Sequence, residues 1–249
     1  MTRIHFTAIA LFFLFLTACS HRVPTATVEI VDTSLSITPR AERAALDAVR
    51  NQIGRMQRGD VLVLIPIVGD ARNDVDGRIL RFQAPVRREA YDADLGRFRA
   101  DAQKRFVAWV ASPDLYASMT DILGALDAAR QEIASFPAGS SRRLVVVSDF
   151  LEDDGTERFV RDKAIATPAY ARELAARLRA EHGLALPGVS LCLGRLESSD
   201  YAQLSEERKE AVTAFWSTYL AGSGQQPEIR FDGTGMLADV EHVCPNKKP

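Results

Sequence analysis

The chain has 249 residues, with 31 basic against 33 acidic side chains, a formal charge of −2, and 47% hydrophobic residues. Acid and base are mixed along it, so the clustered basic face of a nucleic-acid binder is excluded, and no nucleic acid is expected as partner. The length suits one medium α/β domain or two small ones, with ample chain to bury a core.

The first nineteen residues, MTRIHFTAIALFFLFLTAC, carry Arg3 near the start, an apolar core from Ala8 to Leu16, and then Leu16-Thr17-Ala18-Cys19. That core is short for a bilayer-spanning helix and ends in small residues, the pattern of a secretion signal. The Leu-x-Ala-Cys ending resembles the lipobox of bacterial lipoproteins. The resemblance implies a signal peptide over residues 1–18, lipidation of Cys19 and a mature chain tethered to a membrane. Ser20, not Asp, follows the cysteine, which under enteric-type sorting implies the outer membrane, facing the periplasm. Residues 19–26 then read as lipidated cysteine and tether, and 27–249 as a single domain with a C-terminal tail. With Cys19 acylated, Cys192 and Cys244 remain, and in an oxidising periplasm they are either a disulfide or two separate buried thiols.

Beyond the tether, Val28–Val31 reads as a short buried strand. Arg40–Met56 reads as a helix with Ala44, Ala45, Ala48, Val49, Ile53 and Met56 on one face. Asp60–Val68, DVLVLIPIV, is a continuous apolar run of the kind a parallel sheet buries on both sides. Arg78–Pro85 alternates after a turn-rich segment, so it is expected as a strand hairpinned onto the previous one. Helices are expected at Asp92–Val110 and Asp121–Phe136, and a second strongly apolar strand at Arg142–Phe150. A helix at Pro168–Glu181, a strand at Gly188–Leu193, a helix at Ser205–Leu220 and a last strand at Glu228–Phe231 complete the series. Strand–helix alternation at this spacing predicts a doubly wound α/β fold: a mostly parallel central sheet, helices on both faces and one antiparallel edge strand.

Two strands end in aspartate: the first in Asp32, the fourth in Ser148-Asp149. In open α/β sheets ligands sit beyond the carboxyl ends of the strands, where strand order reverses. Neighbouring carboxylates there repel unless a cation or proton lies between them. The hydroxyls of Ser34 and Ser36 add neutral oxygens, and an all-oxygen set suits Mg²⁺. Asp32-x-Ser34-x-Ser36 after the first strand, then MTDILGALDAAR, then VVVSDF, resembles the von Willebrand factor type A domain. The resemblance covers about residues 27–232. It implies a metal-ion-dependent adhesion site made of Asp32, Ser34, Ser36, Thr120 and Asp149, with Ser118 a weaker competitor for Thr120. It also implies Mg²⁺ (or Mn²⁺ or Ca²⁺) as cofactor and a protein partner that offers a Glu or Asp to the metal. Phe150 stands where a glycine often follows the third-loop aspartate.

Other signals lose to plainer readings. Asp74-x-Asp76-Gly77 matches the middle of a calcium loop, but Arg72 and Gln83 occupy its first and closing ligand positions. Asp153-Asp154 reads as a solvated loop that adds negative field near Asp149. The four histidines are scattered without zinc spacing, and there is no phosphate-binding loop, dinucleotide fingerprint or Gly-x-Ser-x-Gly elbow. Trp109 and Trp216 lie on apolar helix faces and read as core. The expectation is a lipid-anchored binding module and not an enzyme, without a small-molecule cofactor. The alternatives are a Mg²⁺-dependent phosphoryl-transfer enzyme, for which Ser34 stands where a second acid is needed, and a metal-free scaffold of the same fold.

Overall fold

The computed structural model describes residues 22–71, 75–86, 92–116 and 118–221. The first strand, β1 (Thr25–Asp32), is buried over all but its first residue, because it has a parallel neighbour on each side. One neighbour is β2 (Val61–Ile67), with Val28 opposite Val63 and Asp32 opposite Ile67. The other is β4 (Ser141–Ser148), with Val28 opposite Leu144 and Val31 opposite Val147. β3 (Leu80–Gln83) pairs antiparallel outside β2, and β5 (Val189–Arg195) pairs parallel outside β4. The order is therefore β3-β2-β1-β4-β5. It reverses between β1 and β4, which opens a crevice at their carboxyl ends.

Helices cover both faces. Alternation along β1 sends Val28 and Ile30 to one side, where α3 (Ile122–Ala134), α4 (Pro168–His182) and α6 (Glu206–Tyr219) supply the largest core cluster. Val31 faces the other side, against α1 (Pro39–Arg55), with α2 (Asp92–Val110) packed beyond it over Leu62, Leu64 and Phe82. α1 also covers Val145, Val147 and Cys192 of the other half-sheet. No helix among the described residues is long and apolar enough to cross a membrane.

Helix starts are set by side-chain caps. Thr38, Asp121, Thr167 and Ser205 each accept a backbone N–H from the first turn of α1, α3, α4 and α6, and proline occupies the first turn of α1 and of α4. Trp216 is fully buried, as expected of a core residue, whereas Trp109 is only partly buried and donates its Nε1–H to the Arg78 carbonyl at 2.6 Å.

The predicted doubly wound sheet with one antiparallel edge strand is the observed one, and most element boundaries fall within a residue or two of expectation. Two differences stand out. β1 begins at Thr25, inside the stretch expected to be tether. Its amide donates to Asp60 Oδ1 at 2.9 Å, and the Ser141 amide donates to the Pro24 carbonyl at 2.9 Å, so sheet pairing reaches back further than the apolar run. A five-residue helix, α5 (Ser199–Gln203), follows β5 and has no apolar period to announce it. The expected strand at Glu228–Phe231, Cys19, Cys244 and the signal segment lie outside the described residues. Cys192 is buried under α1 and disulfide-bonded.

Candidate functional site

Asp32 is the last residue of β1 and is fully buried. A carboxylate at that depth costs free energy unless its oxygens are hydrogen-bonded. Its Oδ1 accepts the Ser34 amide at 2.9 Å, a turn that folds the first loop back over the strand end. Its Oδ2 accepts the Ser148 hydroxyl at 2.6 Å, from the end of the neighbouring strand β4. Ser148 Oγ in turn accepts the Phe150 amide at 3.0 Å, so one serine fixes both the first aspartate and the turn after the second.

Asp149 follows immediately, 1% exposed, with Oδ1 accepting the Leu151 amide at 3.0 Å and Oδ2 accepting the Ser36 hydroxyl at 3.3 Å. Ser34 Oγ and Ser36 Oγ are 3.1 Å apart. Four of the sequence-predicted ligands, Asp32, Ser34, Ser36 and Asp149, are thus drawn into one hydrogen-bonded corner. Burial raises the Asp32 carboxyl. It also pushes Asp149 up to about 7, with the facing Asp32 charge adding to the effect and the Ser198 hydroxyl opposing it. Two buried carboxyls that resist losing their protons together are what a divalent cation relieves.

Thr120 reaches the same sheet edge by a different route. The next residue, Asp121, donates its amide to the Val68 carbonyl just past β2 at 3.2 Å. A Cβ on Gly69 would stand 3.1 Å from Met119 Cβ and Cε, tighter than ordinary contact, so a larger residue there would press the Met119 side chain aside. Thr120 is buried, at 7% exposure, and Ser118 is exposed. Thr120 exchanges both backbone hydrogen bonds with Asp153, at 2.9 and 2.8 Å. The structure shows that backbone bridge and not a side-chain hydrogen bond from Thr120 to the other four.

The third loop carries a local strain. Phe150 has φ of +63°, the left-handed region that favours glycine. The conformation is held by burial of its ring edge-on to Trp216, 5.8 Å between centroids, and by the Trp216 Nε1–H donating to the Phe150 carbonyl at 2.9 Å. The first loop is pinned from the other side, where Thr33 Oγ1 donates to the Leu115 carbonyl at 2.6 Å.

Sequence reasoning missed three participants. Ser148 and Ser198 each hold a site carboxyl, and neither belongs to a spaced motif. Glu152 is the third. It is fully buried at the start of α3, and Oε2 accepts the amides of Ile122 and Leu123 at 3.1 and 3.2 Å. Burial, then the charges of Asp121 and Asp154, hold its carboxyl well above the ordinary range. The expected solvated loop at Asp153-Asp154 is instead half-buried, with Asp153 bridging to Thr120 and Asp154 turned toward Asp121 and Glu152.

All of these groups are hard oxygen donors, so the site fits Mg²⁺, Mn²⁺ or Ca²⁺ and offers nothing to a soft metal. Asp32 and Asp149 would supply two charges, and Ser34 and Ser36 neutral oxygens. Thr120 lies at the same sheet edge, joined to the third loop through its backbone bridge to Asp153.

No family model and no curated protein matches the chain. Among solved structures it is similar to an aerotolerance-related membrane protein from Bacteroides fragilis, at 13% identity over 88% of this chain and 96% of that one, TM-score 0.42. It is also similar to von Willebrand factor type A from Catenulispora acidiphila, at 15% identity over 80% and 43% of the two chains, TM-score 0.41. A third is the manganese-loaded TRAP protein of Plasmodium vivax, at 12% identity over 79% and 73%, TM-score 0.38.

Proposed function

We propose that the chain is a membrane-tethered, envelope-facing protein-binding module that docks an acidic residue of a partner through a divalent cation held by Asp32, Ser34, Ser36, Thr120 and Asp149. The observation that carries the reading is the meeting of two buried carboxyls, Asp32 and Asp149, with the two serine hydroxyls at the point where strand order reverses. Two acids balance the charge of a divalent ion without exceeding it. A coordination position left to water stays electrophilic toward an external carboxylate. The rim supports a protein ligand, because Leu35 inside the first motif is 76% exposed and Met119 beside Thr120 is 41% exposed. Apolar side chains around a polar centre are what a protein interface buries. Tethering rests on the Leu-x-Ala-Cys motif at Cys19, and the periplasmic, outer-membrane address on Ser20.

The module is not an enzyme on this reading. A phosphoryl-accepting aspartate at a strand end needs a second acid two residues on, and Ser34 stands there instead.

The test is thermal unfolding with and without Mg²⁺. Cation that binds only the folded chain at about a hundredfold over its Kd stabilises by roughly 2.7 kcal/mol. Wild type is expected to show that rise in Tm, and Asp32→Ala to keep its fold and lose the response. Partner capture from envelope extracts should vanish with chelator. Equal Mg²⁺ responses in the two proteins would defeat the proposal.

A further inference from the structure

Thr120 and Asp149 have acidic neighbours that the adhesion-site reading does not use. Asp121, Glu152 and Asp154 each bring one carboxylate oxygen within 4.8 Å of the other two. Asp121 caps α3, accepting Gly124 N at 2.6 Å on Oδ1 and Ala71 N at 2.9 Å on Oδ2. Asp154 Oδ1 accepts the Thr156 and Glu157 amides at 2.7 and 2.8 Å, and its half-buried side chain marks the solvent side of the cluster. Glu152 is 0% exposed, and while Oε2 is satisfied by the helix amides, Oε1 is buried with no hydrogen-bond partner. Native structures rarely leave a buried carboxylate oxygen unpaired, and such an atom calls for either a proton or a missing partner. Here that atom belongs to a fully buried acid whose two neighbours are also acids.

We propose that Asp121, Glu152 and Asp154 form a second divalent-cation site, of the Ca²⁺ class, between the start of α3 and the loop after β4. The chemistry is oxygen-only, which selects hard cations. Oxygens around one ion are separated by at most twice the metal–oxygen distance. Ca²⁺, at about 2.4 Å from each ligand, accommodates oxygens that lie within 4.8 Å of one another, and it accepts three carboxylates in a flexible shell, whereas Mg²⁺ is usually held by one or two. The half-buried side of Asp154 leaves room for the waters that complete a Ca²⁺ shell. The site is distinct from the first one: none of its ligands is shared.

The two sites are nonetheless joined. Thr120 precedes Asp121 in the chain, Asp149 lies on the same loop as Glu152 and Asp154, and the paired Thr120–Asp153 backbone bonds run between them. A cation on the three acids fixes the segment that carries Thr120 against the loop that carries Asp149. The coupling is reciprocal, so occupancy of either site favours the other.

The experiment is a calorimetric titration of metal-stripped protein with Ca²⁺, comparing wild type, Asp32→Ala and Asp154→Asn, with folding checked by circular dichroism. Asp32→Ala disables the first site only, so it should still bind one equivalent of Ca²⁺. Asp154→Asn, a same-shape change at the cluster's open side, should lose one equivalent relative to wild type or weaken it at least tenfold. Wild type binding one equivalent, with Asp32→Ala unchanged and Asp154→Asn empty, sinks the adhesion-site reading and leaves this one standing. Asp32→Ala binding no Ca²⁺, or Asp154→Asn binding as wild type does, overturns the second site. If Asp154→Asn does not fold, Glu152→Gln replaces it, and the count on Asp32→Ala alone still decides.

Discussion

Glu29 sits in the middle of β1, opposite Leu64 on one side and Val145 on the other, with its Oε2 buried and unpartnered. Burial pushes its carboxyl up to about 8. The unfolded chain releases this proton in the ordinary carboxylate range, while the folded chain holds it until about pH 8. The folded state therefore binds the extra proton between those limits, and stability falls as pH rises through that window. This group contributes at most roughly 1.4 kcal/mol per pH unit. Glu29→Gln, neutral at every pH, should flatten the dependence by that share in urea unfolding run from about pH 5 to about pH 8. The other raised carboxyls keep their own part of the slope. Identical slopes for the two proteins would show that Glu29 finds a partner that holds its charge. Nothing in TVEIVD warns of this: the run reads as a short buried strand, and only the cover of α1 on the Val31 side shows that Glu29 is interior too. Asp32, Ser34 and Ser36 were legible because the chemistry they share has a fixed spacing. Ser148, Ser198 and Glu152 were not, since their partners lie on other elements and only the sheet order brings them close.

At the scale of elements, the start of α3 joins helix capping to the site. A Cβ on Gly124 would lie 2.1 Å from Asp121 Oδ2 and 2.7 Å from its Cγ. Gly124→Ala sets two effects against each other. Alanine gains about 1 kcal/mol of helix propensity. Displacing the Asp121 carboxylate loses the cap, about 1–2 kcal/mol, and the crowding costs about 1–3 kcal/mol more. Net destabilisation of roughly 1–4 kcal/mol is expected in chemical denaturation, and a stabilised variant would mean that Asp121 rotates away freely. The helix itself was plain from its period. Its glycine was not interpretable from sequence, because the atom it avoids belongs to a cap whose second partner, Ala71, is fifty residues away. Element order and the antiparallel edge strand were readable for the opposite reason: apolar runs of different length and neighbouring turn signals encode them locally. The short α5 escaped because five residues carry no period.

For the whole molecule, the proposed lipid anchor and the disulfide both fall to cysteines. Cys192, in β5, is disulfide-bonded, and if Cys19 is acylated the only other cysteine in the chain is Cys244. A bridge between Cys192 and Cys244 closes a loop of about fifty residues and contributes roughly 3–4 kcal/mol in the loop-entropy model. Unreduced, denatured mature protein should show no reactive thiol, and two would remove the bridge. Cys19→Ser should shift the protein from the membrane fraction to the soluble fraction and abolish the acylated mature mass. Retention of that mass would refute the lipobox reading.

The direction of β1 then sets a distance. The strand enters the sheet at Thr25, close behind the cysteine in sequence, and leaves it at Asp32, inside the hydrogen-bonded corner with Ser34, Ser36 and Asp149. Eight residues at about 3.3 Å each put the docking edge about 25 Å beyond the point where the tether meets the fold. The six residues Cys19–Pro24 add at most roughly 20 Å of reach. If Cys19 carries the proposed lipid and the corner at Asp32 the proposed cation, the docking edge points away from its own membrane. A partner in that same membrane is reached only if it projects a comparable height, whereas one spanning the periplasm from the opposite side meets the site head-on.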